Sequence, residues 1–266
     1  MNNSFWQVMG YALIPASAVL VGGIIAVFWK PGATIRSLVQ HFAAGLVFAA
    51  VAAEILPDIM HQRDPLAMVV GFTLGIGLML AVKYFAEGSG KKANGASKRP
   101  AKSESKQQSQ TESSEEAEKG ENESPTSLLV TIGIDLLIDG LLIGIAFTAS
   151  SKQGFLLTFA LAFEVFFLGL SASVALSKAG KSRTVMVGAA VGLALLLLGG
   201  VVIGNYFLSG LTGFAFDTML AFGAAALLYL VTEELLVEAH EAKETPVTTA
   251  MFFVGFVVLL LVEMLA

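Results

Sequence analysis

Asp135 and Asp139 stand four residues apart inside one apolar stretch, and Glu164 stands in the middle of the next. Residues at i and i+4 of a helix share a face, so the two aspartates point at the same place. Carboxylate oxygens suit hard or borderline divalent cations. With Glu164 from the following helix, they would complete a three-carboxylate site. Glu54, Asp58, Glu233, Glu234 and Glu263 also fall inside apolar stretches, and Glu238 follows just beyond one. An ionised carboxylate in hydrocarbon is costly, and such residues mark ion pathways by default. Relief comes from a bound cation, from protonation or from a water-filled cavity. Asp58 and Glu263 sit near stretch ends, within reach of water. No Lys or Arg lies mid-stretch, so the deeper acids are expected to lack basic partners. Lys83 is close to an end, where its ammonium can snorkel. The structural alternative is that protonated acids hydrogen-bond between helices as polar glue.

The elements that must position these acids are transmembrane helices. A spanning helix needs about 20 mostly apolar residues. Eight segments qualify: 5–28, 37–58, 66–86, 127–149, 154–176, 184–208, 214–236 and 246–265. The expected fold is therefore an all-α membrane bundle. The chain of 266 residues is 55% hydrophobic and only 14% charged, against about 25% charged in soluble domains. That argues against a soluble enzyme. The first stretch has no basic n-region and is longer than a signal-peptide core, so it reads as a spanning helix. Without Cys there is no thiolate metal site, disulfide or cysteine nucleophile, and three His are too few for a His-rich site. Ser209-Gly210 and Thr212-Gly213 offer the turn between spans six and seven. Small residues are dense in the spans and serve close helix packing.

Residues 88–126 differ in kind. They are rich in Lys, Ser, Glu and Gln, with no apolar run. Such a segment cannot bury enough surface to fold, and it is expected to be a disordered, solvated tether. The chain thus divides into 1–87 with spans one to three, the 88–126 linker, and 127–266 with spans four to eight. Lys and Arg in the loops set orientation. Of the sixteen, only Arg63 and Lys152 fall on the side opposite the linker. The bias puts the linker in the cytoplasm and both termini outside, in a cell (inner) membrane.

An internal repeat is also legible. FAAGLVFAAVAAEILPD, from Phe42 to Asp58, matches FGAAALLYLVTEELLVE, from Phe222 to Glu238, without a gap. Glu54 meets Glu234 and Asp58 meets Glu238. Span two runs outward and span seven inward, so the repeat is inverted, as in many transporters.

With these features the chain resembles the ZIP (Zrt/Irt-like) family of divalent metal transporters. That family has eight spans, both termini extracytoplasmic and a long cytoplasmic loop after span three. Its span two often reads like HLLPEA, where EILPD stands here from Glu54 to Asp58. Its span seven often ends in EEL.PEA, where Glu233 to Ala239 read EELLVEA. Family metal sites lie on spans four and five. Against HN.PEG, span four reads DLLIDG, so Asp135 takes the His place, Leu136 the Asn place, Ile138 the Pro place and Asp139 the Glu place. Span five reads EVFFLG, with Glu164 at the first ligand place, Val165 at the second and Leu168 at the Glu place. Span six reads GLALL against GLAEP, with Leu195 at the Glu place. The resemblance therefore implies one metal position of three carboxylates, with the second position replaced by Leu and Val. The lost prolines imply straighter fourth and fifth helices.

The expected function is transport of a divalent cation by alternating access. Zinc is the family ion, and an all-carboxylate site shifts preference toward manganese, iron or magnesium. Metal would enter from outside, with Glu54 and Asp58 as candidate pathway residues, and leave past Glu233, Glu234 and Glu238. No prosthetic group and no nucleic acid are expected. The partners are the bilayer, the ion and a second copy of the chain in a homodimer. The alternative is a ZIP-like membrane protein that has lost transport and serves as a sensor, structural partner or proton-linked carrier. An intramembrane aspartyl protease does not fit, because its dyad must share a proton across about 3 Å and Asp135 and Asp139 occupy successive turns of one helix.

Overall fold

In a computed structural model of the protein, residues 2–29, 31–62, 64–94, 125–208, 210–240, 242 and 245–265 are described. Among them, eight helices are long and apolar enough to cross a membrane. These spans are Phe5–Phe28, Ala33–His61, Pro65–Tyr84, Leu128–Ala149, Ser151–Lys178, Arg183–Tyr206, Phe214–His240 and Pro246–Leu265. They are the eight expected ones, with span two starting earlier and span seven ending later. The helix of span three continues to Asn94 and that of span four begins at Pro125. The linker expected at 88–126 is therefore helical at both of its margins, and its remainder lies outside the described residues. Gly210 and Gly213 take positive φ of 110° and 57° at the turn between spans six and seven, a conformation open to glycine at little cost.

Span one packs on span five, four on six, two on eight and three on seven. Exchanging one with six, two with seven, three with eight and four with five maps this set of pairs onto itself. Each exchange reverses the helix direction, so the inverted repeat extends from sequence to packing. It also holds at single residues. A Cβ added to Gly75 would lie 2.7 Å from the Phe222 carbonyl oxygen, and one added to Gly255 would lie 2.1 Å from that of Phe42. The two contacts are related by the same offset that aligns Glu54 with Glu234. Spans three and eight both begin with a capping residue followed by proline. Asp64 Oδ1 accepts from the amides of Leu66 and Ala67, and Thr245 Oγ1 from that of Thr248. Proline fits the first helical position because its missing N–H would have no partner there.

Spans two and seven share one irregularity. Each contains a π-helical turn, Val51–Ile55 and Leu230–Leu235. These turns carry Glu54 in one and Glu233 and Glu234 in the other. In span two, Pro57 has no N–H to give and its ring crowds the carbonyl four residues back. Span seven has Val237 at the matching place, so its π-turn is not made by proline. Spans four and five, Pro125–Ala149 and Ser151–Lys178, run as unbroken helices. Span seven is the most buried, while spans three and eight are the least. Leu74, Leu80, Phe253, Val257 and Leu261 are exposed on these two, an apolar surface of the kind that faces lipid.

Candidate metal centre

Spans four and five form a tight hairpin, joined through Ser150 alone. Ser150 caps span five by accepting from the Gln153 amide at 3.0 Å, which starts the helix at once. At 1.5 Å per residue, Asp139 lies about 15 Å from the hairpin turn and Glu164 about 20 Å, so the hairpin sets both at similar depth. Asp135 is one turn further along span four. One carboxylate oxygen from each of Asp135, Asp139 and Glu164 lies within 4.8 Å of the others. The convergence expected from spacing is present.

Asp139 is 1% exposed and Glu164 2% exposed. Asp139 Oδ2 and Glu164 Oε2 are buried without a hydrogen-bond partner among the described residues. Glu234 and Glu238 bear on the same acids from span seven. At an effective dielectric of about 20, two full charges 4.8 Å apart repel by about 3 kcal/mol. A cation between the oxygens would reverse the sign of that energy. Orphaned oxygens, depth and like charge together make a donor set that a hard or borderline divalent cation fits.

A cavity of about 290 Å³ extends from Asp135 and Glu164 past Glu234 and Glu238 to Lys83, Leu128 and Val237. Those last residues belong to the linker end of the bundle, where span three finishes and span four begins. At the rim Lys83 Nζ is 3.3 Å from Glu233 Oε2, with both side chains about half exposed. This is a solvated pair worth little stability.

At the opposite end the expectation of acids without basic partners fails. Lys152 Nζ lies 3.3 Å from Glu54 Oε1 and 3.8 Å from Glu263 Oε1. Gln153 Nε2 donates to Asp58 Oδ2 at 2.6 Å and to the Glu54 carbonyl at 3.2 Å. Glu54 and Asp58 are thus held by span five, far from the cavity, while Glu233, Glu234 and Glu238 line it. The Ser-x-x-Gln capping pattern at 150–153 is the signal that could have placed Lys152 inside span five rather than in a loop. Gln40, whose Nε2 donates to Glu238, carried no sequence signal at all.

A family model described as ZIP zinc transporter matches residues 86–263. The chain belongs to the ZIP family. At the family level it is a multi-pass membrane transporter of metal ions and not an enzyme, with the ion as substrate and the bilayer as its surroundings. Among curated proteins, none matches it. Within this ZIP protein, Leu136 and Val165 are fully buried, and Leu168 lines the cavity with Glu164. Leu195 departs from the resemblance. It is 62% exposed and faces away from the bundle, so span six contributes nothing to the site through this residue.

Proposed function

We propose that this chain carries a divalent cation across the membrane by alternating access, with Asp135, Asp139 and Glu164 as ligands of the transported ion. The observation that carries this reading is the convergence of one oxygen from each within 4.8 Å, at a depth where Asp139 and Glu164 each have an oxygen without a hydrogen-bond partner among the described residues. The cavity leads from this group toward the linker end, past Glu234 and Glu238. At the other end Lys152 and Gln153 bind Glu54 and Asp58. A cavity that reaches a mid-depth site from one side is an arrangement an alternating-access carrier passes through. In this reading Glu54 and Asp58 act at the entrance, Glu233, Glu234 and Glu238 on the way out.

An all-oxygen site favours manganese, iron(II) or magnesium relative to a site containing imidazole. Uptake into proteoliposomes tests both transport and preference. Manganese should enter faster than through empty liposomes, and it should compete with zinc at least equally. Uptake no greater than leakage for every one of these ions would overturn the reading.

The linker end faces the cytoplasm in this proposal, supported by the excess of Lys and Arg there. The chain has no Cys, so single cysteines report topology cleanly. Thr212→Cys, at an exposed position of the opposite end, should react with a membrane-impermeant maleimide on intact cells. Ser182→Cys, exposed at the linker end, should react only after permeabilisation. The reverse pattern would invert the assigned direction of transport.

A further inference from the structure

The first turn of span five reaches both span two and span eight. Lys152 Nζ sits between two carboxylates, 3.3 Å from Glu54 Oε1 on span two and 3.8 Å from Glu263 Oε1 on span eight. The next residue, Gln153, is 4% exposed. Its Nε2 donates to Asp58 Oδ2 and to the Glu54 carbonyl. Both partners accept, so the amide is held in that orientation. Its Oε1 stays buried within the group, without a hydrogen-bond partner among the described residues. Three carboxylates and an orphaned amide oxygen thus gather at one place with a single ammonium, and negative charge is in excess. These are the donors that bind hard divalent cations. The lysine fills a cation's place only in part. Its ammonium is a hydrated point charge on a flexible stem, and its side chain is 45% exposed. Such a partly solvated pair is worth little, whereas a divalent ion at the same oxygens attracts each of them about twice as strongly. Elsewhere spans five and eight touch little, because span eight packs on span two and span five on span one. The bridge therefore joins helices of different packed pairs.

We propose that Lys152 is a tethered competitor of the arriving cation. Its ammonium holds the place between Glu54 and Glu263, and a divalent cation that takes that place releases the first turn of span five from spans two and eight. Lys152 thereby sets the affinity with which the ion is captured and couples capture to movement of span five. The part in capture rests on the transport reading, which puts these acids at the entrance. The competition between ammonium and metal for the same oxygens does not.

The test titrates manganese into purified full-length protein and follows the unbound ion by electron paramagnetic resonance. Asp139→Ala serves as the background, because it weakens the deep carboxylate centre. Adding Lys152→Met should tighten manganese binding about fivefold, the worth of a partly solvated ion pair. Adding Glu263→Gln as well should reverse that gain, and Lys152→Arg, which keeps the charge, should show none. In proteoliposomes Lys152→Met alone should lower the KM for manganese by about the same factor, with Lys152→Arg at the wild-type value. A lysine with a merely structural role would change kcat or thermal stability and leave KM and affinity where they were. Equal manganese affinity with and without Lys152→Met, or a gain that survives Glu263→Gln, would overturn the proposal. Failure of the transport reading shows separately, as absent uptake by the wild type, and leaves the binding comparison to decide the competition.

Discussion

Asp139→Ala is expected to lower metal uptake into proteoliposomes by about 100-fold or more, at least the loss caused by removing a residue that merely supports a metal ligand. The carboxylate is almost wholly buried, and its Oδ2 has no hydrogen-bond partner among the described residues. Its removal takes away one of three converging ligands while breaking no ion pair. It also removes like-charge repulsion from a crowded acidic group, so without metal the variant should unfold at the same temperature as the wild type or higher. With metal the order should reverse. An ion at 100 times its Kd adds about 2.7 kcal/mol to a protein that binds it, and the variant forgoes that gain. Lost transport in a protein that is not destabilised separates a ligand from a structural residue. Equal uptake by both proteins would sink the site assignment. A wild type that gains no thermal stability from any of the candidate ions would favour the reading in which transport has been lost, with Leu136 and Val165 as the marks of that loss.

Gly255→Val should destabilise the bundle by about 3 kcal/mol or more, the upper range for overpacking. A Cβ at this position would stand 2.1 Å from the Phe42 carbonyl oxygen, and the facing Gly45 is equally tight, 1.9 Å from that of Phe252. Both obstacles are backbone, so no rotamer change relieves them and spans two and eight must move apart. Membrane helices associate through such close packing because lipid offers no hydrophobic gain for their contact. Thermal unfolding in detergent would register the change as a large fall in Tm with loss of monodispersity. A Cβ added to Gly77 would meet nothing within 4 Å, so Gly77→Ala serves as the control and should stay within about 0.5 kcal/mol of wild type. A wild-type Tm for Gly255→Val would mean that spans two and eight do not meet as described.

Much of this architecture was legible in the chain because hydrocarbon narrows the choices. Backbone polar groups must be satisfied within each spanning segment, so apolar runs of sufficient length become helices. Eight spans followed, in order. The face shared by Asp135 and Asp139 followed from helix periodicity, and the inverted repeat from an ungapped match of spans two and seven. The boundaries moved most where polar residues continue a helix beyond the apolar run. Span three reaches Asn94, and span seven carries on to His240.

Glu54 and Glu234 show what the sequence could not decide. They occupy equivalent places in the repeat, each in a π-helical turn. Their surroundings nevertheless differ, Glu234 joining the deep carboxylates while Glu54 pairs with Lys152. That pairing joins residues far apart in the chain, and no local pattern encodes which helix lies opposite. The same holds for Leu195, which a motif alignment placed at the site and the bundle turns outward. Asp135, Asp139 and Glu164 were the exception, because a single-residue hairpin makes neighbours in sequence into neighbours in depth. The carboxylates themselves, their spacing and their membrane setting were thus written in the sequence. Which of them share a cavity and which are covered by a lysine was decided by helix packing alone.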